Sequence, residues 1–122
     1  MAEKVLIADD SKLSRKKIKD TLIELGYSDF IEASNGQEAI DMYMQESPLF
    51  VTLDIEMPLF DGIQVVKELV QVSDSLRVIW ISSVENKHRI LEAQKLCKSS
   101  IVKKPLKKEY LENAIKLVLR GN

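Results

Sequence analysis

Five short, nearly unbroken apolar runs, each followed by a longer amphipathic stretch, constrain the fold of this chain more than any other feature. The runs are Val5–Ala8, Phe30–Ala33, Leu49–Leu53, Val78–Ile81 and Ile101–Val102. Continuous rather than alternating apolarity fits strands covered on both faces, as in a parallel sheet. Glu32 interrupts the second run and the fifth has only two residues, so these two are the weaker strands. The stretches between them have helical spacing. Leu13–Gly26 aligns Ile18, Leu22 and Leu25 opposite Arg15, Lys16 and Lys19, and Gly26 is suited to end the helix. Asn35–Ser47 follows Ser34-x-x-Gln37, which reads as a capping box, and Pro48 forces the chain out of helix. Asp61 suits the cap of Gly62–Val72, Asn86–Leu96 aligns Ile90, Ala93 and Leu96, and Lys108–Arg120 aligns Leu111, Ala114, Ile115 and Val118 ahead of Gly121.

Strand followed by helix, five times over, predicts an α/β fold. The expected architecture is a doubly wound five-stranded parallel sheet with five helices on its two faces, forming one domain over residues 1–122. An eight-fold barrel of the same units would need about 250 residues. Apolar residues make up 45% of the chain, enough for one core, which argues against disorder. The longest unbroken apolar runs, such as Val5–Ala8 and Val78–Ile81, fall far short of the roughly 20 residues of a membrane span. The opening Met1-Ala2-Glu3-Lys4 lacks the apolar stretch of a secretory signal, so a cytoplasmic location without membrane insertion is expected.

Single residues of cysteine and histidine, Cys97 and His88, exclude an internal disulfide and any site built from several imidazoles. They read as a helix thiol and a surface imidazole rather than a nucleophilic pair. A formal net charge of −1 argues against nucleic-acid binding. The charge is unevenly distributed. Residues 1–61 hold 6 Lys/Arg against 13 Asp/Glu and residues 62–122 hold 12 against 6, which implies a polarised surface.

In doubly wound sheets, ligands bind beyond the carboxyl ends of the strands. There the first run leads into Asp9-Asp10, the third into Asp54, the fourth into Ser82-Ser83 and the fifth into Lys103-Lys104-Pro105. Carboxylates at a strand end are costly to desolvate unless a cation compensates. Mg²⁺ is the natural choice, because it takes oxygen ligands and keeps room for waters and a phosphoryl oxygen. Three carboxylates, Mg²⁺ and one lysine are together neutral. At an effective dielectric near 20, each opposite-charge contact at 4 Å is worth roughly 4 kcal/mol, enough to tether Lys104. The implied chemistry is phosphoryl transfer to a carboxylate, with Asp54, the central acid, as nucleophile. Ser82 and Lys104 would each take an oxygen of the transferred group.

These residues resemble the receiver domain of two-component response regulators. The likeness rests on Val5-Leu6-Ile7-Ala8-Asp9-Asp10-Ser11 with Arg15, on Ala33-Ser34-Asn35-Gly36-Gln37-Glu38-Ala39, and on Leu53-Asp54-Ile55-Glu56-Met57-Pro58 followed by Asp61-Gly62. Ile81-Ser82-Ser83 and Val102-Lys103-Lys104-Pro105 complete it, so it spans nearly the whole chain. The resemblance implies strand order 2-1-3-4-5 and a role for each residue. Asp54 would be the phospho-acceptor, Asp9 and Asp10 the metal-binding pair, and the Glu56 backbone carbonyl a further ligand. Ser82 would be the switch hydroxyl and Lys104 the contact to the phosphoryl group, while Pro58 and Gly62 would shape the acceptor loop.

Partners implied in the same way are a sensor histidine kinase or phosphotransfer protein as donor, and a downstream target docking on the last helix–strand–helix face. Lys98, Lys103, Lys107 and Lys108 supply basic charge for such docking. With no output domain expected after the last helix, the chain would act as a stand-alone chemotaxis-like or phosphorelay module, not as an enzyme on free substrates. Two positions depart from the family pattern. Ile101 stands where an aromatic switch residue is usual, and Ser82 replaces the commoner threonine. Val84, with Glu56, is expected to modulate phosphoryl lifetime. The competing reading is a haloacid-dehalogenase-like phosphohydrolase using Asp54, but Asp54-Ile55-Glu56 only mimics the Asp-x-Asp that such enzymes need. A flavodoxin-like cofactor binder would need a Gly- and hydroxyl-rich loop where Asp9-Asp10 stands, and this acidic pair repels phosphate.

Overall fold

A computed structural model describes residues 3–83, 85 and 87–120. Val84, Asn86 and Gly121, which the sequence marks as a lifetime modulator, a helix start and a helix stop, lie outside the described residues. The elements run β1 (Lys4–Ala8), α1 (Lys12–Glu24), β2 (Asp29–Ala33), α2 (Gly36–Glu46), β3 (Phe50–Leu53), α3 (Gly62–Leu69), β4 (Arg77–Ser82), α4 (Lys87–Leu96), β5 (Lys98–Lys103) and α5 (Lys108–Leu119). All strand pairs are parallel, in the order β2-β1-β3-β4-β5.

Strand side chains alternate between two cores, one on each face of the sheet. Leu6, Ala8, Val51, Leu53, Val78 and Trp80 pack with Ala39, Tyr43, Val65, Val66, Leu69 and Ala93 from α2, α3 and α4. Val5, Ile7, Ile79, Ile81 and Val102 pack with Ile18 and Leu22 of α1 and Leu111, Ile115 and Val118 of α5. The central strands β1, β3 and β4 are covered on both faces, so between their ends they are apolar apart from buried Thr52 of β3. The two weaker runs are the two edges of the sheet. There, partial exposure admits Glu32 in β2 and Lys98, Ser99 and Ser100 in β5. Strand β5 is therefore six residues long rather than two, and the Ser100 hydroxyl donates to the Ala114 carbonyl of α5 at 3.1 Å.

Helix ends follow local hydrogen-bonding chemistry. Ser11 caps α1, and Gly26 accepts the left-handed φ of +103° that turns the chain out of it. The start of α2 departs from the expected Ser34/Gln37 box. Asn35 is the cap, accepting from the Glu38 N–H at 2.9 Å, while the Glu38 carboxylate takes both the N–H and the hydroxyl of Ser34. An ionised carboxylate outcompetes the Gln37 amide as acceptor, and Gln37 donates to Asp41 instead. Asp61 caps α3 with a complete box through Gln64. This helix stops at Leu69, ahead of the expected Val72, because exposed Val72 has no core to join. Cys97 is likewise not in a helix but at the junction of α4 and β5, where burial pushes its thiol up to about 11.

Candidate functional site

Parallel register brings four strand ends to one edge of the sheet. Ala8 pairs with Leu53, so Asp9 and Asp54 leave β1 and β3 side by side. Ser82 pairs with Lys103, which delivers Lys104 next to Ser82. Backbone bonds fix these exits: the Asp54 N–H donates to the Ala8 carbonyl and the Lys104 N–H to the Ser82 carbonyl, both at 3.0 Å.

The side chains converge. Lys104 Nζ donates to Asp9 Oδ2 at 2.8 Å and to Asp54 Oδ2 at 3.0 Å. Ser82 Oγ donates to Asp54 Oδ1 at 3.1 Å, and the Glu56 N–H reaches the same oxygen at 3.2 Å. Asp9 is 1% exposed, Ser82 2% and Asp54 8%, whereas Asp10 stands at the surface. Burial disfavours the charged form of Asp54 and raises its pKa above the usual carboxylate range, although the Lys104 hydrogen bond pulls the other way. Burial also opposes the charge on Lys104. Its bonds to Asp9 and Asp54 outweigh that and hold the ammonium above its ordinary range.

The loop from Asp54 to Asp61 packs tightly against its surroundings. Gly62 donates to the Ile55 carbonyl at 2.7 Å, and a Cβ there would lie 2.3 Å from the Asp54 carbonyl oxygen and 2.9 Å from Trp80 Cζ3. Trp80 is wholly buried beneath it. A Cβ on Gly36 would come 2.0 Å from the Phe60 carbonyl oxygen, and the Gly36 N–H reaches the Pro58 carbonyl. Leu59 adopts φ +71° with its side chain 76% exposed. At the far end of the loop Asp61 receives Arg89 of α4 at 2.7 Å.

Carboxylate oxygens of Asp9, Asp10 and Asp54 lie within 4.8 Å of one another, a hard all-oxygen donor set suited to Mg²⁺. Glu56 is exposed and meets Asp54 through its backbone, not its carboxylate, so a second acid of the Asp-x-Asp kind does not face Asp54. The basic residues Lys98, Lys103, Lys107 and Lys108 are exposed around β5 and α5. Lys108 pairs with Glu24, Lys98 meets the Arg120 carbonyl, and Lys107 lies over the Tyr110 ring. Two residues given no role by the sequence, Ser11 within the Asp9-Asp10-Ser11 motif and Ser14 outside it, also reach the site. Ser11 donates its N–H to Asp9 Oδ1 at 2.9 Å, and Ser14 donates its hydroxyl to Asp9 Oδ2 at 2.7 Å. Arg15 holds the Asp9 carbonyl at 2.8 Å and Glu32 at 2.9 Å. The available signal was the Ser11-x-x-Ser14 spacing, which puts two hydroxyls on one helical turn beside Asp9.

The profile of the response regulator receiver domain matches residues 5–116. Chemotaxis protein CheY of Bacillus subtilis is 34% identical over 119 residues, covering 98% of this chain and 99% of the relative. Sporulation initiation phosphotransferase F of the same organism is 32% identical, covering 100% of this chain and 99% of the relative. Among solved structures, a chain of the CheX–CheY–BeF3–Mg²⁺ complex from Borrelia burgdorferi shares the fold with a TM-score of 0.90. It is 27% identical, covering 97% of this chain and 90% of that one.

Proposed function

The chain belongs to the response regulator receiver domain family, a family of phosphoryl-accepting signalling domains, and from that premise we propose that Asp54 is its acceptor. The observation that carries this is the pairing of a nearly buried carboxylate with an ammonium on one oxygen and a hydroxyl on the other. The donor would be a phosphohistidine on a sensor kinase or phosphotransfer protein. A carboxylate oxygen of Asp54 forms the new O–P bond as the N–P bond breaks, and the electron pair of that bond stays on the imidazole nitrogen. Charge on the moving group spreads over its equatorial oxygens. Lys104 and Ser82 already point donors at Asp54, and the same donors would meet those oxygens.

Asp9, Asp10, Asp54 and the Glu56 backbone carbonyl would hold Mg²⁺, which when bound neutralises the acidic cluster and the incoming phosphoryl oxygens. Phosphorylation would shift a two-state equilibrium in the last third of the chain and change docking of a target on the α4–β5–α5 face, with Ile101 in place of an aromatic switch. The chain would promote only its own phosphorylation and dephosphorylation, in a cytoplasmic setting.

Incubation with a small acyl-phosphate donor and Mg²⁺, followed by intact mass, tests the acceptor. Wild type should gain one phosphoryl group and Asp54→Asn none. Labelling that persists in Asp54→Asn, or without metal, would overturn the proposal.

A further inference from the structure

We propose that Ser14 is a positioning residue for metal binding, acting through Asp9; this rests on the reading of Asp9 as a Mg²⁺ ligand. Three donors hold the Asp9 carboxylate: the Ser11 N–H on Oδ1, and Ser14 Oγ together with Lys104 Nζ on Oδ2. They are not equivalent. Lys104 divides itself between Asp9 and Asp54, and the arrival of a phosphoryl group on Asp54 would draw its ammonium toward the new oxygens. Ser14 has no such second commitment to Asp54. Its hydroxyl sits on the rigid first turn of α1 and stays on Oδ2 when Lys104 leaves.

The hydroxyl is also not spent on the helix. Ser11 Oγ caps α1 by accepting the Ser14 N–H at 3.1 Å, so the Ser14 side chain is left to donate to Asp9. Arg15, one residue on, anchors the Asp9 backbone carbonyl. Successive residues of α1 thus fix the backbone and the carboxylate of Asp9 separately. A carboxylate buried to this degree has few rotamers open to it, and the Ser11 N–H on Oδ1 with the Ser14 hydroxyl on Oδ2 fixes the plane in which it meets Asp10 and Asp54. Partners that orient a metal-binding carboxylate in this way set affinity rather than chemistry.

The test is calorimetric titration of MgCl₂ into wild type, Ser14→Ala, Ser14→Thr and Asp9→Asn, with melting temperatures measured with and without Mg²⁺. Ser14→Ala should bind Mg²⁺ about tenfold or more weakly, and Ser14→Thr, which restores the hydroxyl, within about threefold of wild type. Without metal, the melting temperature of Ser14→Ala should stay within about 3 °C of wild type, because the change is local and half-exposed. Acyl-phosphate labelling of Ser14→Ala should be slow at low Mg²⁺ and recover at saturating Mg²⁺. A Ser14→Ala affinity within about twofold of wild type, while Asp9→Asn loses binding, would overturn the role of Ser14 alone. Wild type that takes up no Mg²⁺ would overturn the metal site itself, and the role of Ser14 with it.

Discussion

Asp54, the proposed acceptor, is buried at some cost to stability. Its pKa is raised by burial, so its contribution to stability is fullest below the ordinary carboxylate value and is lost as pH rises through the raised one. At pH 7 the ionised side chain is therefore unfavourable in the metal-free fold, with Asp9 adding repulsion. Metal-free Asp54→Asn should be more stable than wild type at pH 7, by about 1 kcal/mol or roughly 3–5 °C in melting temperature. The gap should narrow toward pH 3, which thermal melts across pH would show; an unchanged or lower melting temperature at pH 7 would contradict it. Asp9, Asp10, Asp54, Ser82 and Lys104 were legible as a group because parallel register makes every strand end an address on one edge. Ser14 was legible only through its spacing from Ser11, a weak signal. A serine on a helical turn has many ordinary uses, and only the 2.7 Å contact separates this one from a solvated hydroxyl.

Gly62, the first residue of α3, is the point where element packing and chemistry meet. Any Cβ there collides with the Asp54 backbone and the Trp80 ring, neither of which has room to move. Gly62→Ala should destabilise the protein by roughly 2–3 kcal/mol and slow labelling of Asp54, measured by urea unfolding and intact mass. The Arg89–Asp61 pair between α4 and the acceptor loop is partly exposed, and Arg89→Ala should cost under about 1 kcal/mol in the same unfolding assay. The central strands announced themselves through nearly unbroken apolar runs, interrupted in β3 by Thr52, since both their faces are buried. Edge strand β5 did not. Its Lys98 faces solvent and its Ser100 bonds α5 rather than joining a second core, so apolarity understates its length. The shifted cap of α2 was out of reach for a different reason: Ser34 and Asn35 are both good caps, and the choice is made by where the Glu38 carboxylate lands.

Over the whole molecule, the acidic excess of residues 1–61 and the basic excess of residues 62–122 meet in the Lys104 ion pairs. Mg²⁺ that binds only the folded state should raise the melting temperature in a concentration-dependent way, and Asp9→Asn should remove most of that gain. The exposed lysines around β5 and α5 suit an acidic target. Reversing Lys103 and Lys107 to glutamate should weaken target binding on the order of tenfold at low salt, with the difference shrinking as salt rises. An affinity that does not change would remove that face from docking. Lys104 reaches across 95 residues of chain to Asp9 and 50 to Asp54. A nascent chain can therefore pair its first strands while two adjoining acids still lack their cation. Until β5 has joined β4 and α5 has followed, such a chain would lack both that cation and the Leu111, Ile115 and Val118 side chains that complete the second core.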